Sequence, residues 1–206
     1  MYINIALPKG RLGKKTYDLL KKIGYSCREL EEEGRKLVFT SEENQVRYFW
    51  VKPTDVPVYV EKGIADIGVA GVDVLMESEA DVYDMLDLGF GKCYFAIAAP
   101  KGWKYNGNRT IKIATKYINY ARKHFEKVER KVDLIKLNGS VELAPMVGLS
   151  DAIVDIVETG ATLKENNIEI IERLEEISAR VVVNKVSYKF KNETIEKVLE
   201  DIRGEL

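Results

Sequence analysis

Short runs of apolar and β-branched residues alternate along the chain with segments whose apolar positions recur at helical spacing. The first run covers residues 2–7, and Leu12, Leu19 and Ile23 follow on one face of a predicted helix. Further strands are predicted at 36–40, 47–52, 65–70, 93–99, 111–115, 132–137 and 152–157, and within the extended segment 169–184. This alternation is typical of an α/β protein with largely parallel sheets.

Local signals place turns and helix starts between these runs. The strands at 36–40 and 47–52 are expected to pair as a hairpin across a polar loop. Thr54 is predicted to cap a helix that runs to Lys62, and Asn192 to cap the final helix. Other helices are predicted to begin at Gly71 and to span 117–126 and 141–147.

The pattern also predicts two domains. Gly89 and Gly91 precede the apolar strand CYFAIAAP, and we interpret that position as a crossing from one domain to another. The extended segment 169–184 then carries the chain back. We therefore predict two lobes of mixed, largely parallel sheet with a cleft between them. Residues 1–90 and 171–206 form the first, discontinuous domain, and residues 91–170 form the second.

Composition narrows the class of protein. Of the 206 residues, 46% are hydrophobic and 32% are charged, which is typical of a globular chain. The 32 basic and 33 acidic residues leave a formal net charge of −1, which argues against a protein that coats nucleic acid. No apolar run approaches the roughly 20 residues of a membrane-spanning helix, and the N-terminus lacks the pattern of a secretion signal. We expect a cytoplasmic protein that binds neither nucleic acid nor a membrane.

Histidine and cysteine chemistry is limited in this sequence. Cys27 and Cys93 fit neither a disulfide framework nor the spacing of zinc ligands. His124 is the only histidine, and it lies in a predicted amphipathic helix, which favours a helix-surface position over a catalytic one.

The segment AIVDIVETGATLKEN, residues 152–166, carries the strongest chemical signal. An apolar strand ends in acidic residues, and small residues and threonines follow at a predicted helix start. Small residues let backbone N–H groups approach a phosphate, threonine hydroxyls add donors, and the carboxylates suit ribose hydroxyls. The candidate residues are Asp155, Glu158, Thr159, Gly160, Ala161 and Thr162. An ordinary acidic strand end before a capped helix explains the same pattern, so both interpretations stay open.

Basic residues follow the first strand. Lys9 and Arg11 lie in its strand-to-helix turn, which commonly faces the ligand crevice of an open α/β sheet. Two cations there can neutralise a pyrophosphate, although a solvated basic helix start is the alternative. Because cations at a helix N-terminus oppose the helix dipole, their presence favours a functional role. Lys14 and Lys15 are expected to be solvated.

Three further positions are weaker candidates. Glu142 follows Gly139 and Ser140, which are predicted to open a helix and to present N–H donors. Asp55 and the turn Gly71-Val72-Asp73 each follow a predicted strand. A favourable interaction with the helix dipole accounts equally well for Glu142, and ordinary capping accounts for the others.

Together these segments resemble the ATP phosphoribosyltransferase family. The matching stretches are IALPKGRLG at 5–13, KPTDVPVYVEKGIADIGVAGVDVL at 52–75 and LNGSVELAPMVGLSDAIVDIVETGATLKENN at 137–167. The resemblance implies a two-domain fold like that of the periplasmic binding proteins (type II). It also implies transfer of a phosphoribosyl group from phosphoribosyl pyrophosphate to N1 of the adenine of ATP, with Mg²⁺, as the first step of histidine biosynthesis.

The end of the chain resembles the short form of that family, since one helix follows the returning strand. Short-form subunits work with a regulatory subunit related to histidyl-tRNA synthetase, in a hetero-octamer, and the resemblance implies that partner. One position departs from the family, because many relatives have arginine where Lys52 begins KPTDVP. A role that requires a guanidinium is therefore not expected there.

The resemblance further implies roles for the candidate residues. Thr159 to Thr162 bind the 5-phosphate, and Asp155 with Glu158 binds the ribose hydroxyls. Lys9 and Arg11 face pyrophosphate or ATP phosphates, and Glu142 steadies developing positive charge or a magnesium shell. The residues on the ATP side are Asp55, Gly71 and Asp73. Metal ligands are not implied, and the alternative function is a two-lobed small-molecule binding or sensor protein without catalysis.

Overall fold

The computed structural model describes residues 2–32, 35–105, 107 and 109–206. Its strands are β1 (Ile3–Pro8), β2 (Val38–Ser41), β3 (Val46–Val51), β4 (Ile67–Gly71), β5 (Tyr83–Asp87), β6 (Cys93–Pro100), β7 (Ile111–Thr115), β8 (Val132–Lys136), β9 (Ala152–Val157), β10 (Ile168–Ile177) and β11 (Ala179–Val183). Its helices are α1 (Arg11–Lys22), α2 (Arg28–Glu31), a 3₁₀ turn (Pro53–Asp55), α3 (Val56–Glu61), α4 (Val72–Ser78), α5 (Ile118–Lys127), α6 (Leu143–Met146), α7 (Ala161–Glu165), α8 (Lys185–Phe190) and α9 (Asn192–Glu205).

The chain divides into two compact units. The first contains Met1–Gly91 and Ser178–Leu206, and the second contains Lys92–Ile177. The outward crossing lies next to the predicted one at residue 91. The return was predicted at residue 171 but occurs after Ile177, because β10 pairs with β6 along its whole length and so belongs to the second unit.

The first unit is a mixed sheet in the order β2-β3-β1-β4-β11-β5. Strands β1, β3 and β4 run parallel, and β2 and β3 form the predicted antiparallel hairpin. Helix α1 buries Gly13, Thr16, Tyr17 and Leu20, which recur at helical spacing along one face. Gly13 allows α1 to approach the sheet closely, because a Cβ there would lie 1.9 Å from the carbonyl oxygen of Pro8.

The second unit is a sheet in the order β10-β6-β9-β7-β8. Strands β7, β8 and β9 run parallel, whereas β6 is antiparallel to both β9 and β10. On one face Phe95 of β6 stacks on Tyr120 of α5, with 3.7 Å between ring centroids. On the other, Ile153 of β9 packs with Val141 and Leu163 from the segments that follow β8 and β9.

Two predicted helix caps are wrong. Pro53 starts a 3₁₀ turn, so Thr54 lies inside that turn and its hydroxyl donates to Asp55 Oδ1 at 3.1 Å. Lys191 precedes α9, so Asn192 is already the first residue of that helix. The asparagine that does cap a helix is Asn184, whose side-chain oxygen accepts the Ser187 N–H of α8 at 2.7 Å.

A buried ion pair links the first unit's sheet to the start of α9. Lys191 Nζ lies 2.8 Å from Asp66 Oδ2 and also donates to the carbonyl of Tyr2. The same Asp66 oxygen accepts the Asn4 N–H at 2.9 Å. The Asp66 side chain is only 3% exposed, so these partners take the place of water around its carboxylate. None of the helices in the described part of the chain has both the length and the apolar composition of a membrane crossing.

Candidate active site

The carboxyl ends of β1, β3 and β4 lie at one edge of the first unit's sheet. Pro8 of β1 is in register with Val51 of β3, and the Lys9 N–H donates to the Val51 carbonyl at 2.8 Å. The segments that follow these parallel strands therefore meet there. This geometry brings Lys9 and Arg11 to the same edge as Asp55 and the turn that begins at Gly71.

Lys9 and Arg11 flank the N-terminus of α1. Gly10, with φ of +103°, is the N-cap, and Lys9 and Arg11 are both exposed. The first turn of α1 contains no acidic residue. A helix N-terminus bordered by cations attracts anions, because the backbone N–H groups and the side-chain charges act in the same direction.

A cavity of about 630 Å³ opens beside this turn, along one face of α1. Its lining residues are Lys9, Gly10, Lys14, Tyr17, Asp18, Lys21, Leu30, Glu31, Arg35, Lys36, Leu37 and Trp50. Cations outnumber acids on its walls. One of the acids, Glu31, is held by Lys21 at 2.7 Å and by the hydroxyl of Tyr17 at 3.0 Å. The Lys21 and Tyr17 contacts lower the pKa of Glu31, and burial raises the pKa of Tyr17 to about 12.

Arg35 and Lys36 are site candidates that the sequence analysis missed. They belong to the cavity only because the segment before β2 packs opposite α1. The signal that was available is a pair of cations directly before a strand, which by itself is common on surfaces. Lys14, which was expected to be solvated, also lines the cavity.

The ATP-side candidates occupy different environments. Gly71 is the N-cap of α4, and a Cβ there would lie 2.2 Å from Asp73 Oδ1. Asp73 is only 9% exposed, so its carboxylate lies inside the helix start. Asp55 is half-buried and precedes α3. Contacts of these residues with a nucleotide stay predictions.

The carboxyl ends of β7, β8 and β9 form the corresponding edge of the second unit. Thr115 of β7 is in register with Lys136 of β8 and with Val154 of β9. The segment that contains Glu142 follows β8, and the acidic threonine loop follows β9. Val141 and Leu163, from these two segments, pack in the same buried cluster. The structure therefore brings the two predicted segments to one edge.

The threonine loop is a tight turn on a buried support. Gly160 has φ of +76°, which favours glycine, and the Ala161 N–H donates to Thr159 Oγ1 at 3.3 Å. Thr159 and Thr162 are exposed, whereas Val157 and Leu163 are buried on either side of them. The loop thus presents hydroxyls and backbone on its outer side. Asp155 is half-buried on β9, where its Oδ1 accepts the Ile156 N–H at 2.9 Å.

The helix predicted to open at Gly139 and Ser140 begins later. Residues 137–142 form an irregular segment, and α6 starts at Leu143 with Glu142 in the N-cap position. Ser140 has φ of +47°, a left-handed conformation that is strained for residues other than glycine. Backbone strain of this kind is frequent at functional sites. Glu142 is half-buried at the end of this strained segment.

The histidine and clusters of potential metal ligands are the remaining site candidates. His124 is half-buried near the end of α5, with its ring 6.3 Å from that of Tyr120. Within residues 2–32, 35–105, 107 and 109–206, no group of three His, Cys, Asp or Glu side chains is arranged to hold a metal ion.

Comparison with known proteins identifies the family. The family model described as HisG: ATP phosphoribosyltransferase matches residues 52–204. An ATP phosphoribosyltransferase of Brachyspira hyodysenteriae is 56% identical over 97% of this chain and 98% of its own length. One from Clostridioides difficile is 52% identical over 96% of this chain and 95% of its own length.

Solved structures agree with this result and with the predicted fold class. The ATP phosphoribosyl transferase (HisG:HisZ) complex from Thermotoga maritima contains a chain with a TM-score of 0.88 and 39% identity, over 98% of both chains. The arginine-bound form of truncated ArgBP from T. maritima has a TM-score of 0.56 at 15% identity, over 99% of this chain and 94% of that one. The second match shows the fold alone and confirms its periplasmic-binding-protein-like class. On the family model, the curated relatives and the first of these structures, this chain belongs to the ATP phosphoribosyltransferase family.

Proposed function

We propose that this enzyme joins N1 of the adenine of ATP to C1 of phosphoribosyl pyrophosphate and releases pyrophosphate. The reaction is a pentosyl transfer and the first step of histidine biosynthesis. The observation that carries the proposal is the threonine loop after β9, with its exposed hydroxyls directly beyond Asp155 and Glu158. We take phosphoribosyl pyrophosphate as the ligand of that loop because the chain belongs to the ATP phosphoribosyltransferase family.

The second unit is assigned to the ribose phosphate. Thr159 and Thr162 hydroxyls, with the backbone from Gly160 to Ala161, donate to the 5-phosphate. Asp155, with Glu158 as a helper, accepts hydrogen bonds from the ribose hydroxyls. These contacts orient C1 for attack, which is how positioning lowers the barrier.

The first unit is assigned to the phosphates of pyrophosphate or ATP. Lys9 and Arg11 flank the α1 N-terminus, and Arg35 adds a guanidinium to the wall of the same cavity. A guanidinium can bind phosphate oxygens in a bidentate manner. Asp55, Gly71 and Asp73 are proposed to lie on the adenine-nucleotide side.

The chemistry needs little acid or base catalysis. Adenine N1 has a lone pair and no proton, so attack requires no general base. As pyrophosphate leaves, C1 gains positive charge, and Glu142 can stabilise that charge electrostatically. Lys9 and Arg11 are the cations proposed to stabilise the negative charge on the leaving group.

Magnesium is proposed to enter with the pyrophosphate group of the substrate. Mg²⁺ is usually held by one or two carboxylates together with substrate phosphates, and when bound it neutralises their charge. Glu142, Asp155 and Glu158 are carboxylates of the kind that such a complex requires.

We also propose a partner and a location. The T. maritima relative was solved as a HisG:HisZ complex. By analogy, this chain is proposed to assemble with a regulatory subunit related to histidyl-tRNA synthetase, in a hetero-octamer in the cytoplasm. ATP and phosphoribosyl pyrophosphate are its substrates.

Reconstitution tests the function. The chain is purified alone and with a co-expressed synthetase-like subunit, and both samples receive ATP, phosphoribosyl pyrophosphate and Mg²⁺. Stoichiometric release of pyrophosphate and of phosphoribosyl-ATP is expected. Binding of the substrates without release of pyrophosphate by the complex would contradict an enzyme and favour a small-molecule binding or sensor protein.

A further inference from the structure

Strand β7 lies between β9 and β8 in the second unit's sheet. Its last residue, Thr115, is in register with both neighbours, and the three strands run parallel. The Leu137 N–H, directly after β8, donates to the Thr115 carbonyl at 2.9 Å. Lys116 therefore follows the middle one of the three parallel strands, beside the strand that leads into the threonine loop. The segment that contains Glu142 leads into α6, which packs against β9 and β6.

The backbone around Lys116 is held by buried residues. Thr115 is 0% exposed, and its hydroxyl accepts the Tyr117 N–H at 2.9 Å. Tyr117 is 4% exposed and meets Phe95 edge-on, with 5.0 Å between ring centroids. Lys116 is half-buried between these two residues, and its Nζ lies 5.7 Å from the Tyr117 ring centroid. Its ammonium thus lies near the ring of a buried aromatic residue.

Both acidic and basic side chains follow the parallel strands of the second unit. Glu142, Asp155 and Glu158 are carboxylates of the unit to which the 5-phosphate of the substrate is assigned. Anions that approach carboxylates are repelled unless a positive group lies among them. Over the described residues, no carboxylate oxygen lies within the 4.0 Å of an ion pair with Lys116 Nζ.

We infer that Lys116 is a substrate-binding residue that contacts the phosphate groups of phosphoribosyl pyrophosphate. The inference rests on the proposed function and adds a residue to the same site. Lys116 belongs to none of the motifs that the sequence analysis singled out. It emerges only from the strand order, which places the end of β7 beside the strand that leads into the threonine loop.

Steady-state kinetics of the reconstituted complex test this inference. Lys116→Met is expected to raise the KM for phosphoribosyl pyrophosphate about tenfold or more, the usual effect of losing a hydrogen bond to a charged group. The KM for ATP should change less than about twofold, and Lys116→Arg should restore much of the loss because it keeps the charge. Lys112→Met is the matched control. It lies on β7, about 13 Å from Lys116 along the extended chain, and should behave as wild type.

The outcomes separate this inference from the proposed function. A Lys116→Met enzyme with an unchanged KM for phosphoribosyl pyrophosphate would overturn the role of Lys116 and leave the function standing. If the wild-type complex itself releases no pyrophosphate, the function fails, and calorimetry with ribose 5-phosphate then decides. Equal affinity of wild type and Lys116→Met would again overturn the inference. Thermal unfolding of each variant checks folding. If Lys116→Met unfolds at a lower temperature than wild type, Lys116→Gln is tested in its place.

Discussion

Asp66 and Lys191 form an ion pair across the first unit, with 2.8 Å between Asp66 Oδ2 and Lys191 Nζ. Asp66 directly precedes β4, and Lys191 lies between α8 and α9. Lys191→Met should lower the free energy of unfolding by about 3 to 5 kcal/mol, because it leaves a buried carboxylate without its cation. Urea denaturation of the full chain measures the loss.

The exposed pair Lys62–Glu61 provides the control for that measurement. Lys62 is 69% exposed, so Lys62→Met should cost less than about 1 kcal/mol. The double variant Asp66→Asn with Lys191→Met should recover part of the loss, since no buried charge then remains. If Lys191→Met and Lys62→Met lower the free energy of unfolding equally, the buried pair contributes no more to stability than the exposed one.

We expect replacement by alanine to have opposite effects on stability at Gly13 and at Gly204. A Cβ at Gly13 would lie 1.9 Å from the Pro8 carbonyl oxygen and 2.4 Å from the Trp50 ring. Gly13→Ala should therefore destabilise the chain by about 1 to 3 kcal/mol or more. It should also weaken substrate binding, because Pro8 leads directly into Lys9.

Gly204 lies in α9, and a methyl group there would meet no atom of the described residues within 4 Å outside its own helix turn. Gly204→Ala should leave activity unchanged and stabilise the chain by up to about 1 kcal/mol, the usual difference in helix propensity. Thermal unfolding and KM values of both variants provide the comparison. Loss of stability in both would point to a general intolerance of alanine rather than to a close approach at Gly13.

The contacts of the Asp151 carboxylate should make a pH-dependent contribution to the stability of the fold. Burial alone would raise the pKa of Asp151, but the Lys112 N–H at 2.9 Å and the Arg109 guanidinium outweigh it and lower the pKa below its usual range. A carboxylate with a lowered pKa stabilises the fold above the ordinary Asp value of about 4, and this contribution is lost as the pH falls through the lower folded value.

Asp151→Asn should therefore cost about 1 to 2 kcal/mol at pH 7, and the difference from wild type should shrink as the pH falls below about 4. Urea denaturation between neutral and acidic pH measures it. Asp133→Asn, at an exposed position on β8, should stay within about 0.5 kcal/mol of wild type throughout. A constant difference across the whole pH range would contradict the role given to the Asp151 charge.

The strands that were predicted most accurately are those in which the buried positions coincide with the apolar residues. The structure places β7 and β9 at the predicted residues 111–115 and 152–157, because each is a short apolar run between polar breaks. Strand β5, YDMLD, was missed because two acids interrupt its short apolar run and it lies at the sheet edge, where it pairs with β11. The chain's return was misplaced because one extended segment contains both β10 and β11, which belong to different sheets.

The site residues divide in the same way. Some follow from a local sequence motif, and others enter the site only through the tertiary structure. The alternating pattern predicted parallel strands but not their order, and the turn after the first strand, which contains Lys9, could be expected at a ligand-binding edge. Arg35 and Lys116 could not, because neither stands in a distinctive motif. Arg35 enters the site through packing of one segment against α1, and Lys116 through its position between two neighbouring strands.

Thr162 provides the sharpest test of the threonine loop. Its side chain is exposed at the first turn of α7, while its backbone carbonyl is used within the protein by Asn166. Thr162→Val keeps the shape and removes only the hydroxyl, so stability should change by less than about 0.5 kcal/mol. If the hydroxyl donates to the 5-phosphate, its loss should cost about 1.5 to 3 kcal/mol of binding, which corresponds to a roughly 10- to 100-fold higher KM for phosphoribosyl pyrophosphate. Thr194→Val, exposed on α9, is the matched control and should leave both KM values unchanged. An unaltered KM in Thr162→Val would remove the loop from the phosphate site, because the Thr162 side chain is exposed and the substitution leaves the rest of the loop in place.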